Sequence, residues 1–362
     1  MLYLGGSSLF GLFEENGPYV VTAEGLKLRE YSWTNDYNVL YIDQPVGTGF
    51  SFTNSSDGYV RSETEVADHL YEGLTQFFQL FPELRGNKFY IAGESYAGKY
   101  IPAISYKIHN LKMANQTDIN LKGLFMISAY TNGLEDGYVN FCFQIGLIDS
   151  ETKRKLEPIE EDIKSYIQSG SWEKAREARE YLHNSIADLS MVYQYDLTKS
   201  ITSIQENYMG FIQSANIRKK IHVGNTTYDL VARNVSKALN NEKAVSVVQW
   251  IEELLEYYPI AFVGGQFDLR ITYPVVVNTL KKLKWSGAFE YRSATRNVFY
   301  SGNRVSGYYK TAGNLKDVLV RGAGHMVPKD QPKATLDLFN IFVNNKLHNH
   351  HRRTLPDLFE WD

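Results

Sequence analysis

Cysteine is nearly absent from this 362-residue chain, which contains Cys142 and no second cysteine. A single cysteine excludes a disulfide within the chain and a cysteine-rich metal site. Taken alone, this scarcity favours a reducing compartment. Four Asn-x-Ser/Thr sequons point the other way, because glycosylation of such sites requires the secretory route. These candidate glycosylation sites are Asn54, Asn115, Asn225 and Asn234.

Long apolar runs and a strong net charge are also missing. No stretch approaches the roughly 18 apolar residues of a membrane-spanning helix, so we expect no membrane partner. A net charge of -3 gives no electrostatic reason to expect nucleic acid as a partner. The first residues lack the basic and apolar regions of a signal peptide. Residues 2–4 instead suggest a buried strand that runs into a glycine turn.

The most informative stretch is residues 93–98, Gly-Glu-Ser-Tyr-Ala-Gly, which fits the nucleophile-elbow pattern around Ser95. A β-prone apolar run, residues 89–91, precedes it, and a helical pattern starts at Tyr96. A strand, a sharp turn and a helix would hold the Ser95 hydroxyl exposed above the edge of a sheet. The same pattern also occurs in ordinary surface turns, so a catalytic interpretation requires partner residues.

Two candidate partners for Ser95 follow apolar runs further along the chain. Asp268 comes after residues 260–263, and His325 comes after residues 318–320, each through a glycine-containing turn. A serine nucleophile needs a base and a carboxylate that holds that base in the right tautomer. The order serine, aspartate, histidine is that of the α/β-hydrolase fold. The alternatives are a turn cap for Asp268 and a packed loop histidine for His325.

The remaining pattern predicts an α/β chain with a mostly parallel central sheet flanked by helices. Residues 39–42 are an apolar run typical of a strand buried on both faces, with Asp43 in its exit loop. Ser62 and Glu65 form a capping box before a helical pattern that ends near Pro82. Residues 124–127 suggest the next strand, and a final amphipathic helix is predicted from Pro332 onward.

Residues 146–213 differ in composition from the rest of the chain. Charged residues dominate, aliphatic residues recur every three or four positions, and strand-like runs are missing. We predict a helical cap inserted into a hydrolase core formed by residues 1–145 and 214–362. A mobile helical arm is the alternative. The polar tail invites a metal interpretation that we do not favour; its histidines are His348, His350 and His351.

Three blocks of sequence resemble the serine carboxypeptidases, and within them the vitellogenic-carboxypeptidase-like group. The blocks are residues 93–102, Gly-Glu-Ser-Tyr-Ala-Gly-Lys-Tyr-Ile-Pro; residues 42–51, Ile-Asp-Gln-Pro-Val-Gly-Thr-Gly-Phe-Ser; and residues 322–328, Gly-Ala-Gly-His-Met-Val-Pro. The likeness covers nearly the whole chain except the cap and the tail. It implies an α/β-hydrolase fold, hydrolysis of peptides from the C-terminus, no cofactor, and a secreted, lysosomal or vacuolar location.

The resemblance also assigns roles to residues. It implies a triad of Ser95, Asp268 and His325, with the N–H groups of Tyr96 and Gly6 as the oxyanion hole. It further implies that two glutamates recognise the free carboxylate of the substrate. Paired acids suit that task, because one of them retains its proton and can donate it, which favours activity at acidic pH. These glutamates are Glu15 and Glu94.

The chain departs from the family pattern at its first glycine turn. It passes from Gly6 directly to Ser7, about three residues short of the family turn, and Leu4 replaces an amide-bearing residue. At residues 127–130, Ile-Ser-Ala-Tyr replaces a stretch richer in glycine and aspartate. We therefore expect a weakened oxyanion hole and a weak peptidase. The alternatives are a non-catalytic homologue that binds peptides and an esterase with the same triad.

Overall fold

The computed structural model describes residues 6–200, 207–230 and 232–344. The predicted strand at residues 2–4 and the three tail histidines lie outside the described residues. Within them, the strands are β1 (Tyr19–Thr22), β2 (Gly25–Leu28), β3 (Phe89–Glu94), β4 (Leu121–Ile127), β5 (Val192–Tyr193), β6 (Asp196–Ser200), β7 (Ile260–Gly265), β8 (Asn297–Ser301), β9 (Arg304–Ala312) and β10 (Leu315–Val320).

The helices of the described residues vary from one turn to five. They are α1 (Glu63–Leu80), α2 (Ala97–Met113), α3 (Tyr138–Gln144), α4 (Ser150–Gln168), α5 (Trp172–Ser190), α6 (Asn207–Gln213), α7 (Ala215–Lys220), α8 (Arg233–Ala238), α9 (Val248–Leu254), α10 (Tyr273–Lys282), α11 (Ala288–Ser293), α12 (Val327–Asp330) and α13 (Pro332–Val343). A single π-helical turn at Gly11–Glu15 precedes the β1–β2 hairpin. Short 3-10 turns occur at Trp33–Asn35, Ser56–Gly58, Pro82–Leu84 and Glu242–Ala244.

The central sheet has the strand order β3-β4-β7-β10-β9-β8. The first four strands are parallel to one another, and β9 and β8 extend the sheet in antiparallel fashion. Both faces of the sheet are covered. In β4, Leu124 and Met126 join the cluster formed with α1, α2 and α9, whereas Phe125 and Ile127 join the one formed with α13. Parallel strands that are buried on both faces read as continuous apolar runs, which explains why β4, β7 and β10 were predictable.

Three predicted elements are confirmed at their expected positions. Helix α1 begins after Ser62, whose hydroxyl accepts the Glu65 N–H at 3.2 Å. The Glu65 carboxylate accepts from the N–H of Arg61 at 2.6 Å, one residue earlier than in a reciprocal capping box. Strand β3 and helix α2 flank Ser95 as expected, and α13 covers the predicted C-terminal helix.

The prediction of a strand at residues 39–42 is wrong. These residues have no regular secondary structure, and they pair with no strand of the described chain. Their side chains are only partly buried, because Val39, Leu40 and Ile42 pack against the two core clusters from outside the sheet. An apolar cavity of about 570 Å³ separates this segment from β3. Hydrophobicity therefore predicted contact with the core, but neither strand pairing nor burial on both faces.

The predicted cap region contains α4 and α5, and also a short hairpin, β5–β6, which the sequence did not predict. Helices α4 and α5 share an apolar cluster with α3 and α10 in which Ile163, Leu182 and Ile186 are fully buried. Such packing disfavours a mobile arm. Helix α6 packs instead against the N-terminal segment, where Tyr208 stacks on Phe13 with ring centroids 5.7 Å apart. The boundaries of the cap stay a prediction.

Candidate active site

Ser95 occupies the sharp turn between β3 and α2. Its backbone has a φ of 63°, a left-handed conformation that is uncommon for residues other than glycine. Hydrogen bonds hold this turn on both sides: the Ser95 N–H donates to the carbonyl of Ile127 at 3.0 Å, and the Ser95 carbonyl accepts from Tyr130 at 2.9 Å. A Cβ on Gly98 would lie 2.6 Å from the Tyr130 nitrogen, so this glycine lets α2 approach the loop after β4.

His325 and Asp268 are directly hydrogen bonded. The Nδ1 atom of His325 lies 2.8 Å from Oδ2 of Asp268, and each residue is only 1% exposed. The other carboxylate oxygen of Asp268 accepts the N–H groups of Arg270 and Ile271 at 2.7 and 2.9 Å. The Nε2 atom of His325 is buried and has no hydrogen-bond partner among the described residues. This arrangement fixes the imidazole through Nδ1 and leaves Nε2 available to accept a proton.

The loop after β4 links the serine and histidine loops. Ser128 has a φ of 42°, and its hydroxyl donates to the carbonyl of His325 at 2.8 Å. Two residues later, the Tyr130 N–H donates to the Ser95 carbonyl. The stretch at residues 127–130, which departs from the family pattern, therefore joins the two candidate catalytic loops. Sequence analysis noted this stretch but assigned it no role, because its partners are distant along the chain.

The β5–β6 hairpin supplies a second support for His325. The carbonyl of Tyr195 accepts the His325 N–H at 2.6 Å, and the tyrosine ring meets the imidazole edge to face with centroids 5.2 Å apart. A Cβ on Gly324 would lie 2.2 Å from that same carbonyl, so only glycine permits this close approach. The cap region thus contributes directly to the orientation of the histidine.

The first candidate oxyanion-hole donor is the backbone N–H of Tyr96. The Tyr96 N–H precedes the first turn of α2 and has no hydrogen-bond partner in the part of the chain that the structure describes. A helix N-terminus also favours negative charge, which suits stabilisation of a developing oxyanion. The second candidate, Gly6, is the first described residue and is half-buried. Its role stays a prediction.

The shortened turn after Gly6 is anchored by Asp43. One oxygen of this carboxylate accepts the Ser7 hydroxyl at 2.5 Å and the Ser8 N–H at 3.0 Å. The other accepts the Phe50 N–H at 2.9 Å. Burial raises the pKa of Asp43, and the hydrogen bonds from its partners oppose that rise. Asp43 therefore has a structural role, and it holds the turn against the loop at residues 43–51.

Glu15 and Glu94 form a buried carboxyl pair next to Ser95. Glu15 is fully buried, Glu94 is 3% exposed, and Glu94 directly precedes the candidate nucleophile. Burial raises the pKa of Glu94 well above its ordinary value, and the charge and hydrogen bond of Glu15 raise it further. The Oε2 atom of Glu94 is buried without a hydrogen-bond partner among the described residues. A protonated carboxyl group in this position can donate a hydrogen bond to a bound anion.

Comparison with known proteins identifies the family. The model of the serine carboxypeptidase family matches residues 5–345. The chain belongs to this family. The venom serine carboxypeptidase of Apis mellifera is 42% identical and the vitellogenic carboxypeptidase of Aedes aegypti is 37% identical. Each alignment covers 94% of this chain, and 76% and 75% of the respective relative.

A solved structure supports the same assignment for the fold. The prohormone-processing carboxypeptidase from Saccharomyces cerevisiae matches with a TM-score of 0.85 at 25% identity, over 94% of this chain and 81% of that one. The family and the α/β-hydrolase fold expected from the sequence motifs are therefore confirmed. Among the described residues, no cluster of side chains suits a metal ion and no helix is long and apolar enough to cross a membrane.

A buried lysine and a buried glutamate lie near the turn that carries Ser95 in this serine carboxypeptidase. Lys99, one turn into α2, is fully buried and donates to the carbonyls of Glu242 and Val245. Glu63 at the start of α1 accepts the Tyr96 hydroxyl at 2.9 Å. Burial raises the pKa of Glu63 and lowers that of Lys99, whereas their mutual attraction opposes both shifts. These contacts connect Tyr96, the candidate oxyanion-hole residue, to α1, and they connect Lys99 of α2 to the loop at residues 242–245.

A second buried cluster joins the cap to the core. Glu135, in the loop that follows β4, pairs with Arg179 of α5 and lies 3.2 Å from Nε2 of His183. Burial raises the pKa of Glu135, but Arg179 and His183 together outweigh this effect and the net shift is downward. Burial lowers the pKa of His183 to about 4, so the imidazole is neutral over most of the acidic range. Sequence analysis missed this cluster, since 44 residues separate Glu135 from Arg179.

Proposed function

We propose that this serine carboxypeptidase cleaves the C-terminal peptide bond of its substrates through an acyl-enzyme on Ser95. The observation that carries the proposal is the buried pair of Glu15 and Glu94, which lies beside the candidate nucleophile. A triad alone would serve an esterase equally well. A protonated carboxyl group next to the reacting serine favours a substrate that ends in a free carboxylate.

In the acylation step, the Ser95 hydroxyl attacks the carbonyl carbon of the scissile bond and gives its proton to Nε2 of His325. Asp268 holds Nδ1 and stabilises the imidazolium that forms. The Tyr96 N–H stabilises the oxyanion, with Gly6 as the proposed second donor. The imidazolium then protonates the leaving amine, so the C-terminal amino acid departs. Deacylation repeats these steps with water as the nucleophile.

Recognition of the terminal carboxylate should depend on pH. Because the pKa of Glu94 is raised, the pair retains a proton under acidic conditions and can donate it to the substrate carboxylate. As pH rises through that pKa, the pair loses the proton and presents negative charge to a negative ligand. We therefore expect KM to increase with pH while the binding of an amidated peptide changes little.

The central experiment compares a peptide with its C-terminal amide at acidic pH. A carboxypeptidase should hydrolyse the free acid with a kcat/KM about 10- to 10²-fold higher, because a charged hydrogen bond is lost with the amide. Equal rates for the two would favour an esterase-like hydrolase. Ser95→Ala should abolish turnover and labelling by a fluorophosphonate. Labelling of the parent chain without peptide turnover would favour a peptide-binding homologue with an impaired oxyanion hole.

Two substitutions of Glu94 test the role of the pair. Glu94→Gln retains a hydrogen-bond donor without titrating, so it should keep substrate binding and flatten the pH dependence of KM. Glu94→Ala removes the donor and should raise KM at every pH. If both variants keep the pH profile of the parent chain, another group recognises the carboxylate.

We further propose that the protein enters the secretory route and resides in a secreted or lysosomal-type compartment. All four sequon asparagines are exposed, which permits glycan attachment. Material from the native organism should therefore shift in gel mobility after treatment with a glycosidase. Unchanged mobility would argue against the secretory assignment. The candidates are Asn54, Asn115, Asn225 and Asn234.

A further inference from the structure

A cavity of about 240 Å³ opens beside Ser95. Its volume suits one side chain better than a drug-sized ligand, whose sites are usually about 300–1,000 Å³. Much of the wall is apolar and includes Tyr96, Leu239 and Ile271. Neither glutamate of the carboxyl pair lines it. Since that pair is proposed to hold the carboxylate of the leaving residue, the cavity lies on the acyl side of the scissile bond.

Four cationic side chains line this cavity, and two of them are neutralised by the protein. Arg179 pairs with Glu135, and Arg176 pairs with Glu180 at 2.8 Å. The others, Arg270 and Lys243, form no ion pair with a carboxylate of the described residues. The cavity therefore carries positive charge that its own wall does not balance.

Both unbalanced cations are held by neutral groups. One guanidinium nitrogen of Arg270 donates to the side-chain oxygen of Gln194 at 3.0 Å. The Lys243 ammonium donates to the hydroxyl of Ser236 at 2.9 Å. Lys243 lies in the chain between Glu242 and Val245, whose carbonyls both accept from Lys99. These two hydrogen bonds fix the backbone of the loop. These cations are positioned in advance and need little reordering to meet an anionic ligand.

We propose that this cavity selects peptides with an acidic side chain at the residue before the C-terminal one. Arg270 and Lys243 would bind its carboxylate, and the apolar wall would cover its methylene groups. Charge-assisted hydrogen bonds are strong in a partly desolvated site, and a cationic side chain would be repelled. This inference rests on the proposed function, which defines the acyl side of the site.

The test measures binding rather than turnover, so it does not depend on the oxyanion hole. Peptides that differ only in Glu, Gln or Lys before the same C-terminal residue are titrated into the Ser95→Ala variant. We expect the Glu peptide to bind about tenfold tighter than the Gln peptide and the Lys peptide to bind weakest. Equal affinity for Glu and Gln would overturn the proposal, even if the parent enzyme hydrolyses all three peptides.

Further substitutions in the same Ser95→Ala background assign the effect to the two cations. Arg270→Met and Lys243→Met should each reduce the Glu-to-Gln preference, and together they should reduce it to about one. Lys237→Met is the matched control, because Lys237 is exposed on α8 and does not line the cavity. A preference that survives in the double variant would overturn the assignment. Loss of the proposed function would instead appear as failure of the parent chain to discriminate free acid from amide.

Discussion

One methyl group added at Gly265 should break the hydrogen bond between the candidate catalytic residues His325 and Asp268. It ends strand β7, three residues before Asp268, and a Cβ there would lie 1.8 Å from the carbonyl oxygen of Gly324. Side-chain Cβ atoms essentially never lie within 3.0 Å of such an atom, so the two loops must separate by at least about 1.2 Å. The next residue along from Gly324 is His325.

That displacement is large compared with the geometry of the pair. The bond between His325 and Asp268 is 2.8 Å long and would exceed ordinary hydrogen-bond length after such a shift. A misplacement of about 1 Å in a catalytic group can cost roughly 10²-fold in rate. Overpacking of a buried site typically costs a further 1–3 kcal/mol of stability, about as much as many core substitutions. We therefore expect Gly265→Ala to lower kcat at least about 10²-fold.

Gly264 provides the matched control on the same strand. A Cβ there meets only the Tyr273 side chain, at an ordinary contact distance of 3.4 Å. Peptide turnover, fluorophosphonate labelling and thermal unfolding are compared for Gly264→Ala, Gly265→Ala and the parent chain. Labelling should slow in parallel with turnover only for Gly265→Ala. Equal turnover for the two variants would refute the argument that close packing of these loops fixes the triad.

Three further predictions concern groups around the site. Lys99→Met should destabilise the fold by about 2–5 kcal/mol in thermal or denaturant unfolding, because it leaves the carbonyls of Glu242 and Val245 without their buried cationic donor. A loss below about 1 kcal/mol would show that these hydrogen bonds are not needed. The free energy of unfolding should fall by up to about 3 kcal/mol between pH 6.5 and 4, because the unfolded chain protonates His183 before the folded chain does. His183→Gln should flatten this dependence in pH-resolved unfolding, whereas exposed His222→Gln should not. Inserting Pro-Gly and a small residue after Gly6 should raise peptide turnover at least about tenfold, because it should restore an oxyanion-hole donor. If the parent chain is as active as the insertion variant, the turn has another donor.

The sequence predicted the candidate site best where the strand, turn and helix signals lie close to the site residues along the chain. The elbow at Ser95 needs a strand, small residues and a helix start, and each has a signal within about ten residues. Strand β7 and the last three residues of β10 are apolar runs, so the turns that carry Asp268 and His325 could be placed at their ends. The antiparallel strands β8 and β9 went unrecognised. Their burial is mixed along the strand, so they lack a continuous apolar signal.

Contacts between distant segments could not be read from the sequence. Ser128 donates to the carbonyl of His325 across 197 positions, and the Tyr195 carbonyl accepts from the same residue. Neither residue type nor spacing signals such a contact. The charge of the cavity beside Ser95 also depends on contacts between distant segments. Arg179 is neutralised by Glu135 only because α5 packs against the loop that follows β4. The proposed preference for an acidic residue therefore rests on contacts that only the tertiary structure shows.

Unsatisfied polar atoms explain why the site can be both buried and reactive. Buried polar groups are almost always hydrogen bonded, so an exception requires a reason. Among the described residues, Oε2 of Glu94 and Nε2 of His325 are two such exceptions, and they flank Ser95 in the proposed mechanism. In that mechanism a bound peptide supplies what each lacks: its terminal carboxylate accepts from Glu94, and attack by Ser95 delivers a proton to His325. The proposed mechanism thus has the substrate complete hydrogen bonds that these two atoms leave unmade, which would convert their cost in the free enzyme into binding and catalysis.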